Sequence, residues 1–210
     1  MPERGEAFIA KARGLLDKNG VGAGEVRWAL FHLNRAQLEE RLGHWDAADE
    51  AYLAALRVYE AADALAGDQA QCRTGHARML LRRGAVAEAR AIFEEALAVE
   101  EREFGATHPG LVDALVGLAE ALERSGDHAA AVATAWRGVD GLAGHTIEPL
   151  ALADAESVAA AVFFDDPALM REAEVLMNDA AELAATRPRV WPWVNERLSA
   201  WPRGAVRDGW

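Results

Sequence analysis

Arg78 and Arg82 come closest, by type and spacing, to a recognition chemistry. One helical turn apart, they point the same way. Two guanidinium forks on one face suit a carboxylate or an acidic segment. The bland alternative is a pair of solvated arginines balancing Glu120 and Glu123, where each exposed pair stabilises by about 0.2–1 kcal/mol. A second concentration lies near the end, where Trp191, Trp193 and Trp201 are interleaved with Arg187, Arg189, Arg197 and Arg203. That segment can cover the last apolar face of the fold, present an aromatic and basic patch to a partner, or meet nucleic acid. His32, His44, His76, His108, His128 and His145 are scattered, without HExxH or a paired spacing to Asp or Glu, so no metal is expected. Asp165-Asp166 could be an acid pair, but Asp166 before Pro167 is better explained as a helix cap. No nucleophile motif, phosphate loop or dinucleotide fingerprint occurs, so neither an enzyme nor a cofactor is expected. Cys72 is the only cysteine, which rules out an internal disulfide and a cysteine-based zinc site and fits a reducing compartment. Early in a helix, it reads as an inert small packing residue.

The net charge of −12 argues against nucleic acid, whose phosphates need a basic footprint. The charge is uneven. Residues 106–186 hold 14 acidic and 3 basic side chains, whereas residues 187–210 hold 2 and 5. No apolar run is long enough for a signal peptide, and none reaches the roughly 18 residues of a membrane span. The expectation is a soluble cytoplasmic protein of one domain or one short array, free of membrane.

Half the residues are hydrophobic, alanine is abundant and prolines number only 7, a composition for helix throughout. Glycines divide that helix into a repeat. Ala48, Tyr52 and Ala55 stand 5, 9 and 12 residues after Gly43; Ala89, Phe93 and Ala96 stand so after Gly84; Ala131, Ala135 and Gly138 after Gly126. The glycines are 41 and 42 residues apart, the signature of a repeat array. Helices are predicted over about 3–17, 25–42, 45–66, 68–84 and 85–103, followed by a turn at FGATHPG and a third pair split at Gly126-Asp127 and ended by Gly144. Gly67 would close one helix and Asp68 cap the next. A fourth, degenerate pair would start at a Thr146 cap, run through Phe164, and carry Ala173, Met177 and Ala180 in register 42 residues on. A short capping helix near Trp193–Trp201 and a loose tail would complete about ten helices. Small residues let paired helices approach closely, and larger neighbours fill the groove beside them.

These residues resemble the tetratricopeptide repeat family, whose consensus places a small residue seven before a glycine, then small, aromatic and small residues after it. Ala36, Gly43, Ala48, Tyr52 and Ala55 fit one unit. Ala77, Gly84, Ala89, Phe93 and Ala96 fit a second. Ala119, Gly126, Ala131, Ala135 and Gly138 fit a third, in which Ala135 replaces the aromatic. The spacing and the phrase ALAVEEREFGATHPGLVDAL are similar to the longer subtype of kinesin light chains and bacterial signalling proteins. The resemblance implies an all-α, right-handed α-α superhelix of about four hairpins plus terminal helices. Its parts would be an N-terminal helix and loop (1–24), repeats at 25–67, 68–105 and 106–145, a degenerate repeat at 146–186, and a Trp-rich cap and tail at 187–210.

In that family the first helix of each hairpin lines a concave groove that binds a protein segment. Carried over by position, the groove would offer Leu30, Leu33, Asn34, Gln37, Glu40 and Arg41. From the second unit come Gln71, Thr74, Arg78, Leu81 and Arg82. From the third come Asp113, Val116, Glu120, Glu123 and Arg124, and from the fourth Val158, Val162 and Asp165. Leu33 and Gln37 stand where chaperone-binding members use lysine and asparagine to clamp a terminal carboxylate, which speaks against that ligand. The implied function is a protein-binding scaffold or adaptor whose partner is a protein or peptide, with an acidic segment if the arginines bind it. The alternatives are a regulator that senses a peptide or small ligand and acts on a partner protein and, behind it, an enzyme on an all-helical scaffold.

Overall fold

The computed structural model describes residues 2–62, 66–142, 149–163 and 169–185. Among them the chain is all-helical: α1 (Pro2–Lys18), α2 (Val26–Leu42), α3 (Trp45–Ala61), α4 (Ala66–Arg83), α5 (Val86–Phe104), α6 (Val112–Arg124), α7 (His128–Leu142), α8 (Pro149–Phe163) and α9 (Met170–Ala185). A short 3₁₀ turn, Pro109–Leu111, leads into α6. Two compact units divide the chain, Met1–Glu103 and Phe104–Trp210. In the first, α1 packs on α2, α2 on α3, and α3 on α4; in the second, α6 packs on α7, both pack on α8, and α8 packs on α9.

The hairpin turns repeat in atomic detail. Gly43, Gly84 and Gly126 have φ of 76°, 94° and 81°, in the left-handed region that side chains resist. At each, the glycine N–H donates three residues back and the next N–H donates five back: to Glu40 and Glu39, to Leu81 and Leu80, and to Glu123 and Leu122. These paired bonds satisfy carbonyls that a helix end leaves open. The following helix then starts with a bond from the small residue of the motif, Ala48 to His44, Ala89 to Ala85 and Ala131 to Asp127, at 2.9–3.0 Å. The degenerate unit keeps that bond, Ala173 to Leu169 at 2.9 Å.

The small positions are core. Ala36, Ala48, Ala55, Ala77, Ala89, Ala96, Ala119, Ala131, Ala173 and Ala180 are all fully buried, and Tyr52, Phe93, Ala135 and Met177 nearly so. Replacing Ala89 with Leu therefore forces extra methylenes into a closed site at a cost of roughly 1–3 kcal/mol. A urea midpoint equal to that of the parent chain would contradict the register.

One boundary differs from the sequence expectation. Helix α3 stops at Ala61, and α4 already begins at Ala66, so Gly67 and Asp68 lie inside its first turn rather than at an end and a cap. An acidic side chain suits that turn because the first N–H groups are unpaired and the helix dipole is positive there. Thr146, Gly144, Asp165-Asp166, Pro167 and the Trp-rich segment 187–210 fall outside the described residues. Among the described residues no helix is long and apolar enough to cross a membrane.

Candidate functional site

In the first unit, α2 exposes a stripe. Leu30, Asn34, Gln37 and Arg41 follow one another at helical spacing, and all four are exposed. Leu33 and Glu40 are half-buried beside them. The Asn34 amide donates to the Leu30 carbonyl at 2.7 Å, which fixes its orientation along the helix.

From α4, Arg82 reaches across to α2. Its Nη1 donates to Glu40 Oε1, and its guanidinium stands 5.9 Å from the Trp45 ring centre, within cation–π range. Glu40 also accepts from the Tyr52 hydroxyl at 3.2 Å, so one carboxylate joins α2, α3 and α4. The Tyr52 ring stacks on His76 at 5.5 Å, and His76 Nε2 meets Asp49 Oδ1 at 2.6 Å. Burial, with the Glu40 charge second, pushes the Tyr52 phenol above its ordinary range, so it stays protonated and donates. Arg78 is half-buried, and its charge acts on the Tyr52 phenol in the opposite sense.

Several groove candidates are closed to a partner. Thr74 is 4% exposed, and Leu81, Val116, Val158 and Val162 are likewise buried. They fall on the sides of their helices that neighbouring helices cover. Gln71 remains exposed. In the second unit Asp113 and Glu120 are half-buried and Arg124 is exposed; Arg124 pairs with Glu120 one turn away. Glu123 Oε2 is held by His128 Nδ1 at 2.8 Å. Arg82 thus pairs with Glu40 within the first unit, while Glu120 and Glu123 pair with Arg124 and His128 within the second. Asp165 lies outside the described residues.

Sequence reasoning missed a repeated clasp. His44 Nδ1 meets Glu39 Oε2 at 2.9 Å, as His128 meets Glu123, each pair pinning a hairpin turn. The signal was a Glu five residues before a His in two units. His108 Nδ1 accepts from the Gly110 N–H at 3.0 Å and caps the 3₁₀ turn. Burial pushes the Cys72 thiol up to about 12, so it remains a protonated packing group. Among the described residues no group of three or more His, Cys, Asp or Glu could hold a metal ion.

Residues 68–137 match the model of the tetratricopeptide repeat family. No curated protein matches in sequence. Among solved structures, BtubC (BKLC) from P. vanneervenii superposes with a TM-score of 0.63 at 16% identity, over 90% of this chain and 94% of that one. The nearly identical TPR-like repeats of Podosopora anserina, described as a kinesin light chain, give 0.61 at 17% identity in a singly substituted form, over 88% and 85%. At such identity the likeness speaks for the fold, and the repeat match speaks for the family. Residues 68–137 thus carry tetratricopeptide repeats, and the fold of the chain is similar to that of these kinesin-light-chain-like structures.

Proposed function

We propose that this chain is a cytoplasmic scaffold or adaptor that holds a segment of a partner protein against the first helices of its hairpins. Tetratricopeptide repeats generally mediate protein–protein interaction. The observation that carries the reading is the exposed stripe Leu30, Asn34, Gln37 and Arg41 on α2, tied to α4 through Glu40 and Arg82. One apolar anchor followed by amide and guanidinium groups suits a segment with a hydrophobic residue ahead of a carboxylate. Gln71, Arg78 and Arg82 extend the surface along α4; Asp113, Glu120 and Arg124 are its counterparts on α6. The acidic body disfavours nucleic acid as the partner.

Capture from the native source, followed by crosslinking from position 37, identifies the partner and its contact. Changing Arg78 and Arg82 together to Glu is expected to abolish capture. That double change also leaves Glu40, only 12% exposed at its side chain, facing a like charge, at a cost of about 1–3 kcal/mol, below the value for a fully buried pair. Arg41→Glu supplies the control, because Arg41 is exposed and its charge reversal leaves the melting temperature within about 2 °C by the usual behaviour of surface sites. Binding should weaken with salt, since exposed charges are screened over about 8–10 Å. A partner that ignores Arg41→Glu, the double reversal and salt would refute the acidic-segment reading.

A further inference from the structure

A second opening lies between α1 and α2. Gly5 of α1 lies against Leu38 of α2; a Cβ on Gly5 would stand 2.6 Å from Leu38 Cδ1. Beside that contact they leave a cleft of about 730 Å³, within the size range of small-molecule sites. Ile9 and Leu38 supply aliphatic wall. The aromatic wall is Trp28 and Phe31, packed edge to face at 5.4 Å, with the Trp28 Nε1 donating to the Val21 carbonyl at 3.1 Å. That bond fixes the indole in place.

The polar groups gather at His32. Its Nδ1 is buried without a hydrogen-bond partner among the described residues, and an orphaned polar atom of this kind costs free energy. The guanidiniums of Arg35, Arg57 and Arg13 outweigh the Glu50 carboxylate at the ring, and together with burial, the largest cause, they hold the imidazole below its ordinary range. Glu6 and Glu39 also line the cleft, but Glu39 is engaged by His44 at 2.9 Å. The arginines are loosely paired: Arg35 Nε lies 3.8 Å from Glu39, and Arg13 Nε 4.0 Å from Asp17. Both distances exceed a hydrogen bond, so either guanidinium can turn to a new anion.

We propose that the α1–α2 cleft binds a small carboxylic acid with an aromatic body, the ring against Trp28 and Phe31 and the carboxylate between Arg13 and Arg35, beside the His32 imidazole. This site is independent of the stripe on α2 that carries the adaptor reading. An anion beside His32 favours the imidazolium, so binding takes up a proton and tightens as pH falls toward 6 while the acid stays ionised.

Titration calorimetry on the full chain tests this with phenylacetate against its neutral amide, phenylacetamide. Phenylacetate should saturate the site and bind about tenfold tighter than the amide, as a charge-assisted contact requires. Its affinity should rise about threefold between pH 8 and pH 6, with the His32 ring shifts in NMR reporting a raised pKa on saturation. Arg35→Gln should weaken phenylacetate about tenfold and leave phenylacetamide within about twofold. Arg13→Gln gives the same selective loss at a residue whose side chain is 70% exposed, so a folding defect in Arg35→Gln cannot mask the answer. Equal affinity for acid and amide, or no saturation in the millimolar range, overturns the proposal. So does binding by a peptide ending in Phe when the free acid does not bind, which would reassign the cleft to a chain terminus.

Discussion

Tyr52→Ala should lower stability by about 3–5 kcal/mol, the usual cost of emptying a buried aromatic site. Tyr52 is 2% exposed. Its ring lies between His76 and the backbone of α4, where a Cβ on Gly75 would stand 3.3 Å from Tyr52 Cε1. Its hydroxyl reaches Glu40, which Arg82 also holds. One side chain therefore locks three helices, and its removal leaves both a cavity and a weakened polar cluster. Tyr52→Phe separates the two effects, because it keeps the ring and removes only the hydroxyl. Glu40 then retains Arg82, so the cost should be about 0.5–1.5 kcal/mol, the net value of one hydrogen bond. Urea unfolding at constant slope measures both. A loss below that of Tyr52→Phe for the alanine variant would show that the ring is not packed as described.

The part of the fold written in local chemistry was legible. Each hairpin turn needs a left-handed residue, and glycine at 43, 84 and 126 meets that need with the same two backbone bonds. The buried alanines at the motif positions were readable because close helix approach admits only a small side chain there. The start of α4 was not, because Gly67-Asp68 has the composition of a boundary and yet continues as helix. Exposure along these helices was legible in part. Position alone places Thr74 and Leu81 on the same helix as Gln71 and Arg82, but which of them stays at the surface depends on what the neighbouring helices cover. The Arg82–Glu40 pair spans 42 residues and depends on two helices lying side by side. The α1–α2 cleft had no sequence signal, since its volume reflects how far apart two helices stand.

Glu156→Gln should remove a loss of stability that the parent chain shows as pH rises. Glu156 lies on α8, is 9% exposed, and its Oε2 has no hydrogen-bond partner among the described residues. Burial, reinforced by the charge of Asp179 on α9, pushes its carboxyl up from 4.5 to about 7. The folded state thus holds a proton that the unfolded state releases at lower pH. The stabilisation this provides is complete below about 4.5 and is lost as pH rises through about 7. The linkage limit for such a shift is about 3 kcal/mol, and relaxation around the carboxylate brings the expected loss nearer 2 kcal/mol. Glutamine is neutral throughout. Below about 4.5 the variant and the parent should therefore differ only by the local cost of an amide in place of a protonated carboxyl, about 1 kcal/mol. At pH 8 the variant should be the more stable of the two by about 1 kcal/mol, as the parent loses its linkage term. Asp179→Asn removes the second cause of the shift. A carboxyl freed of a neighbouring negative charge ionises more readily, so the loss should be smaller and complete at lower pH than in the parent. Comparing the three chains cancels the acidic background that they share. Denaturant midpoints for parent and Glu156→Gln that run parallel from pH 4.5 to pH 8 would show that Glu156 ionises at its ordinary value and that the α8 site is open to water.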